Sequence, residues 1–361
     1  MAGLLGVAAA AAVALCLGGC ANLGYYWQSA SGHLQMMNAA RPVAEWIDDG
    51  AAPLRLKERL ALSQRIRRFA SQELALPDNP SYTRYADLRR SAVVWNVVAA
   101  PELSLTLKTW CFPVTGCVGY RGYFDEGEAQ AEAASLRQQG YEASVYPVPA
   151  YSTLGWMNWA GGDPLLNTFI NYPEGELARL IFHELAHQVL YAKNDTTFNE
   201  SFATAVERLG NERWLATQAS EAARQEYAAY DARRRSFREL ARRTRARLAA
   251  IYDKTLPRPL DVEAQRALKA QVMQEFREAY AQLRASWGLD DARLRLTDRW
   301  VAQANNASFG ALAAYDELVP GFEALFEREG RDWRRFYAAA RALTEVPRAE
   351  RHQRLKEMSG G

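Results

Sequence analysis

Two of the four histidines of this 361-residue chain stand four apart in LIFHELAHQVL, residues 180–190, with a glutamate directly after the first. On a helix, positions i and i+4 share a face, so His183 and His187 can offer both imidazoles to one metal ion. Glu184 then points beside the ion, where a base acting on a water at the metal is needed. The surrounding Leu177, Leu180, Ile181, Phe182, Leu185, Ala186, Val189 and Leu190 make the helix apolar almost all round, which predicts burial. Three polar side chains in such a helix are costly without partners, and a zinc ion with its water supplies them. A structural helix with hydrogen-bonded histidines spells the same letters. The uncharged flanks weigh for the metal.

A catalytic zinc needs a third protein ligand and an open fourth position. The next histidine is His352, so a third histidine close downstream is absent. A glutamate on a following helix is present: after the short loop KNDTT, the stretch FNESFATAVERLG places Glu200 thirteen positions beyond His187. Two histidines and Glu200 complete the set. A rival reading makes Thr197–Glu200 a T-x-x-E capping box, in which the glutamate serves its own helix end. Glu207, seven residues on, lies near the same face, as a partner for a histidine N–H or as a surface acid.

The HELAH helix opens at Pro173 with Glu174 and Glu176, as proline and acids favour a helix start. Before it, helical patterns run from Tyr25 to about Ile47, interrupted at Pro42, and from about Pro53 to Leu74. Residues 92–150 change character: AVVWNVVAA, LSLTLKTWCF, CVGYRGYF and YEASVYPVP read as strands, with a helix from Glu126 to Gln139 stopped by Gly140. LLNTFI, just before the HELAH helix, reads as a strand that either pairs an extended substrate or lies inside the protein. From about Asn211 to Arg351 nearly everything is helical, with breaks at Pro257 and Pro259, near Gly288 and at Pro320. The expected fold is α+β and mostly helical, with a small mixed sheet before the HExxH helix. The expected units are residues 1–20, an α+β lobe over 21–210 and a helical lobe over 211–361.

The first twenty residues, MAGLLGVAAAAAVALCLGGC, form an uncharged apolar run ending Leu17-Gly18-Gly19-Cys20. This resembles a bacterial lipoprotein signal in which Cys20 becomes the lipidated N-terminus, though the run lacks Lys and Arg. Several acyl tails give stable anchoring where one is marginal. Ala21 and Asn22, with no Asp after the cysteine, resemble outer-membrane sorting. Cys16 leaves with the signal, so Cys111 and Cys117 remain. They flank FPVTG, and in an oxidising periplasm they are expected to form a disulfide closing a hairpin. No further Cys or His lies nearby to make them metal ligands. The composition, 49% hydrophobic and 24% charged with a net charge of +2, is globular and gives no argument for nucleic acid. Eight arginines between Arg233 and Arg247 read as a solvated helix face in preference to a lipid contact.

HELAH followed by FNESFATAVE, together with GYYWQSASGHLQMM, CFPVTGCVGYRGYF, VPAYSTLGW and ANNASFGALAAYDELVPGF, resembles the zincin-like bacterial lipoprotein family called putative aminopeptidases. The resemblance covers most of the mature chain. It implies zinc held by His183, His187 and Glu200 in the gluzincin manner, Glu184 as catalytic acid/base, and peptide or protein substrates. A departure from the large gluzincin aminopeptidases is the shorter gap to the ligand glutamate and the lack of a GAMEN-like segment. Metallopeptidase chemistry in the cell envelope is therefore expected, with aminopeptidase action as the reading the resemblance implies, and an envelope endopeptidase or a non-catalytic zinc-binding scaffold as alternatives. Tyr191, Tyr151 and Tyr315 are candidates to stabilise an oxyanion; Glu174 and Glu176 are candidates to hold a substrate amine.

Overall fold

A computed structural model describes residues 24–112, 116–253, 255, 260–289, 291–313 and 317–360. The lipidation signal with Cys16 and Cys20, as well as Tyr315, Pro113, Pro257 and Pro259, lies outside the described residues. The architecture is α+β and mostly helical, as expected. Helix α1 covers 24–39; β1 (Arg41–Pro42) and α2 (Val43–Asp48) follow, with Pro42 at the start of α2. In α3 (Leu54–Glu73) the buried Leu60, Ile66, Phe69 and Ala70 fall at helical spacing and face the core. The buried Arg67 donates to the carbonyls of Pro77, Asn79 and Ser81 at 2.8–3.0 Å, which fixes the loop after α3.

Among the described residues three small sheets take the place of the single mixed sheet expected from the sequence. The largest orders β6 (Arg121–Tyr123), β3 (Val94–Pro101) and β7 (Tyr141–Val148), all antiparallel, with Val94 opposite Val148 and Pro101 opposite Tyr141. Its central strand is buried on both faces. Trp95, Val97 and Ala99 pack on Ala129, Ala133 and Leu136 of α4 (Glu126–Gln138). Val98 and Ala100, on the opposite face as the two-residue period requires, meet Ala307 of α10 (Asn306–Ala313). Gly140 ends α4 at φ +85°, a conformation that favours glycine.

LSLTLKTWCF forms a strand only at its end. β4 (Trp110–Phe112) pairs with β5 (Gly116–Val118) as a separate hairpin, and the rest forms no ladder, although the Lys108 N–H donates to the Ala99 carbonyl of β3 at 2.8 Å. CVGYRGYF is accordingly split between β5 and β6. β2 (Arg84–Ala86) pairs antiparallel with β1 and parallel with β8 (Leu165–Leu166). LLNTFI is thus mostly turn. Leu165, Leu166, Phe169 and Ile170 are fully buried, so this stretch is internal and offers no edge to a substrate.

Helices α5 (Glu174–Ala186) and α6 (Thr196–Thr217) form an antiparallel hairpin at the centre of the main core. The core takes Phe182 from α5, Phe198 and Phe202 from α6, and Phe322 and Phe336 from α11 (Val319–Arg328) and α12 (Trp333–Thr344). It therefore draws on residues 36–355, and the division expected at residue 210 falls within α6. A second core joins α7 (Glu221–Ile251), α8 (Val262–Ser286) and α9 (Asp291–Gln303) around Phe276, Tyr280 and Phe309. Pro320 sits in the first turn of α11 and begins that helix, where the missing N–H costs nothing. α13 (Arg348–Met358) closes the chain against α11. Among the described residues no helix is long and apolar enough to cross a membrane.

Candidate metal centre

The apolar stripe of α5 is fully buried, and it carries His183 and Glu184 in its last turn with His187 at its C-terminal cap. The helix stops there, earlier than the apolar run to Leu190 suggests, but His187 keeps helical φ and ψ (−60°, −20°) and so shares a face with His183. Their Nε2 atoms lie 3.2 Å apart. The end of the helix is fixed through Gln188: its amide oxygen accepts from Asn79 at 2.8 Å and its nitrogen donates to Ser81 at 3.1 Å.

The loop back to α6 is pinned by Asn199, whose side chain accepts from the Ala192 N–H at 2.7 Å and donates to the Ala192 carbonyl at 2.9 Å. Helix α6 begins at Thr196, and its N-cap is Asp195, which accepts from the Phe198 N–H at 3.2 Å. The T-x-x-E capping box is therefore not formed. With the cap supplied by Asp195, Glu200 turns to the histidines: its Oε2 is 3.4 Å from His183 Nε2 and 3.7 Å from His187 Nε2.

These three atoms form the group of potential metal ligands found among the described residues. Tetrahedral zinc with bonds of about 2.0–2.1 Å requires ligand atoms roughly 3.3 Å apart, and separations of 3.2, 3.4 and 3.7 Å meet that requirement closely. Glu207 takes the position anticipated for it. Its Oε2 is 3.0 Å from His183 Nδ1, which orients the ring with Nε2 toward the cluster, while Oε1 accepts from Arg179. Arg179 in turn pairs with Glu176, 3.3 Å away.

Burial dominates the electrostatics. It pushes His183 down to about 3, helped by Arg179 and Arg238, and His187 down to about 4 against the pull of Glu200. Both imidazoles are thus neutral, the form that binds metals. Burial, then Glu200 and Asp163, raises Glu184 to about 8, and burial raises Glu200 as well. Two neighbouring buried carboxyls that resist ionisation are the setting a divalent cation reverses.

The cluster opens into a cavity of about 500 Å³ walled by α1, the β3–β6–β7 sheet and the β4–β5 hairpin. Tyr191 and Tyr151 line it, as the sequence allowed. So does the half-buried Tyr120, which sequence reasoning missed; desolvation and Glu200 raise its hydroxyl pKa well above the usual value. Glu174 and Glu176 are absent from the lining: Glu174 accepts from Trp214, and Glu176 pairs with Arg179 and Arg234.

Cys111 and Cys117 form the expected disulfide across β4 and β5. The hairpin is tied to the α5–α6 loop by Asn194 Oδ1, which accepts from the Cys117 N–H at 2.8 Å. Gly116 makes that approach possible. Its φ is +75°, and a Cβ there would lie 2.3 Å from Asn194 Oδ1.

A helix-borne pair of histidines, a glutamate from the next helix and an acid beside them define a protein built around a candidate metal-binding catalytic centre. The family model described as "Putative aminopeptidase" matches residues 24–355, and the chain belongs to that family. No curated protein and no solved structure matches the chain.

Proposed function

We propose that this protein is a zinc-dependent peptidase of the bacterial cell envelope, acting as an aminopeptidase. The observation that carries the reading is the 3.2–3.7 Å triangle of His183 Nε2, His187 Nε2 and Glu200 Oε2, with Glu184 lining the same cavity. Zinc, when bound, supplies a Lewis acid that activates water and polarises the peptide carbonyl. His183 and His187 hold it as neutral ligands, and Glu200 supplies the anionic one. Glu184 takes the proton of the attacking water and delivers it to the departing amine. Burial and Glu200 hold its carboxyl pKa up in the metal-free site, and a bound divalent cation would favour the ionised form that a base needs. Glu207 keeps the His183 ring oriented. Tyr120 and Tyr191, in the cavity wall, are the candidates to donate to the developing oxyanion. The sequence of residues 1–20 supports export and lipidation at Cys20, with the folded body facing the periplasm, in the outer membrane.

The test is zinc content per chain together with peptide hydrolysis, for the unmutated protein, Glu200→Ala and Glu184→Gln. About one zinc per chain is expected, sharply weakened by Glu200→Ala. Glu184→Gln should keep zinc and lose hydrolysis. Absence of zinc from the unmutated protein would return HELAH to a structural helix. One observation favours endopeptidase action as a second reading: the acids lining the cavity are Glu184 and Glu200, neither of them free to hold a substrate amine. Cleavage of N-terminally blocked peptides would decide for it.

A further inference from the structure

A second cavity, of about 390 Å³, adjoins the one that holds the cluster, and the two share Tyr120 and Thr196 in their walls. Helix α6 sets the spacing between them. Thr197 lines the second cavity and Glu200 the first, three residues apart, or about 4.5 Å along the helix axis. Two arginines and one acid stand in the described lining of the second cavity. Arg245, from α7, reaches it with its Nε buried and without a hydrogen-bond partner. Arg348, from α13, stands at its exposed side, 3.5 Å from Asp195. The one acid in the described lining is Glu317, and Lys356 already lies 2.9 Å from it. A guanidinium carries five donors in a planar fork that fits a carboxylate bidentately. The half-buried Arg245 makes no ion pair among the described residues, and its terminal nitrogens can receive such a group.

We propose that the second cavity is a carboxylate subsite, in which Arg245, with Arg348 beside it, holds the C-terminal carboxylate of a short peptide whose scissile carbonyl lies at the His183–His187–Glu200 cluster. The proposal rests on the peptidase reading and narrows its substrate class. An extended chain advances about 3.3–3.6 Å per residue. Because the cavities share Tyr120 and Thr196 in their walls, a short peptide reaches from one into the other. Peptides with a free C-terminus close behind the cleaved bond are the preferred substrates, and long chains, which carry that carboxylate past the subsite, are poor ones.

Matched tripeptides and tetrapeptides, as free acids and as C-terminal amides, test this on the zinc-loaded protein. The free acids should be favoured at least tenfold in kcat/KM, chiefly through KM. Arg245→Gln should bring the acid-to-amide ratio to near one, and Arg245→Lys should restore part of it. Equal cleavage of acid and amide by the unmutated protein overturns the subsite and leaves the peptidase reading standing. If no peptide is hydrolysed, the peptidase reading fails, and calorimetric binding of the same acids and amides decides the subsite alone. Tighter binding of the acid, lost in Arg245→Gln, supports it; equal binding refutes it. Sodium acetate at matched ionic strength separates the two sources of a carboxylate. Binding of acetate with no discrimination between peptide acid and amide would make the cavity a free-anion site and overturn the proposal.

Discussion

Replacing Glu207 tests the metal reading without touching a ligand. Its Oε2 is 3.0 Å from His183 Nδ1, its Oε1 accepts from Arg179, and the side chain is 9% exposed. By accepting the Nδ1 proton, the carboxylate fixes the tautomer that leaves the Nε2 lone pair free for a metal. Glu207→Gln retains an oxygen acceptor and removes the charge; Glu207→Ala removes both. Loss of such an outer partner typically weakens metal binding about 10–100-fold, or about 1.4–2.7 kcal/mol. Alanine should fall at the upper end and glutamine at the lower. Stability responds through a different contact. Arg179 keeps Glu176 at 3.3 Å when Glu207 is gone. The destabilisation therefore stays at or below the lower end of the roughly 3–5 kcal/mol that stranding a buried charge costs. Competition for zinc against a chromophoric chelator reads the first effect, and urea unfolding of the metal-free protein reads the second. Unmutated zinc affinity in Glu207→Ala, alongside a loss of stability, would refute the orienting role and leave Glu207 as a structural partner of Arg179.

Asn199→Ala removes both hydrogen bonds to Ala192 and should destabilise by about 1–3 kcal/mol, read from the urea midpoint; an unchanged midpoint would show that the loop is held by other contacts. Burial pushes the Asp163 carboxyl up to about 6, against opposing hydrogen bonds from Thr153, so the folded state binds its proton more tightly than the unfolded chain, whose carboxyl titrates near 3.9. This group's contribution therefore favours folding at low pH and is lost as pH rises from about 4 to 6, by about 3 kcal/mol. Asp163→Asn should remove that slope, and a stability difference between the two proteins that does not vary with pH over this window would contradict it. Replacing Cys111 and Cys117 together by serine opens a short covalent loop, for which chain entropy gives a loss of about 2 kcal/mol. Thermal unfolding under non-reducing conditions checks it, with no change in melting temperature counting against a stabilising cross-link.

Local spacing made part of this site readable in advance. His183, Glu184 and His187 depend on a single helical turn, and their placement follows from the i, i+4 rule once the helix exists. Glu200 carried two readings because a glutamate early in a helix suits both a capping box and a ligand. The cap belongs to Asp195, one residue before the helix, and that choice frees Glu200 to face the histidines. Residues 103–109 show the limit of composition. They have the β-branched and apolar character of a strand, yet among the described residues they join no ladder, although the Lys108 N–H donates to the Ala99 carbonyl of β3, and strand propensity acts through partners. Tyr120, Arg245 and the second cavity were beyond reach for a related reason. They meet only through contacts between β5–β6, α7 and α6, which no local pattern encodes.

The far end of the chain is part of the same machinery. Asp195 is 1% exposed, and a carboxylate so deeply buried needs compensating charge. It comes from α13, where Arg351 is 3.7 Å away and Arg348 is 3.5 Å away, while His352 Nε2 lies at hydrogen-bond distance, 2.9 and 3.0 Å, from its two oxygens. The same carboxylate caps α6 through Phe198 N–H, and that helix bears Glu200 just over one turn from the cap. Removing these partners would leave Asp195 with a large desolvation penalty and reason to abandon the cap, letting the first turn of α6 fray. The geometry of Glu200 would be lost with it. A site whose third candidate ligand depends on residues about 150 positions away cannot be cut down to the HExxH helix and its neighbour. This accounts physically for a family match that runs from residue 24 to residue 355: the helices that follow α6 hold the centre together as much as those that carry it.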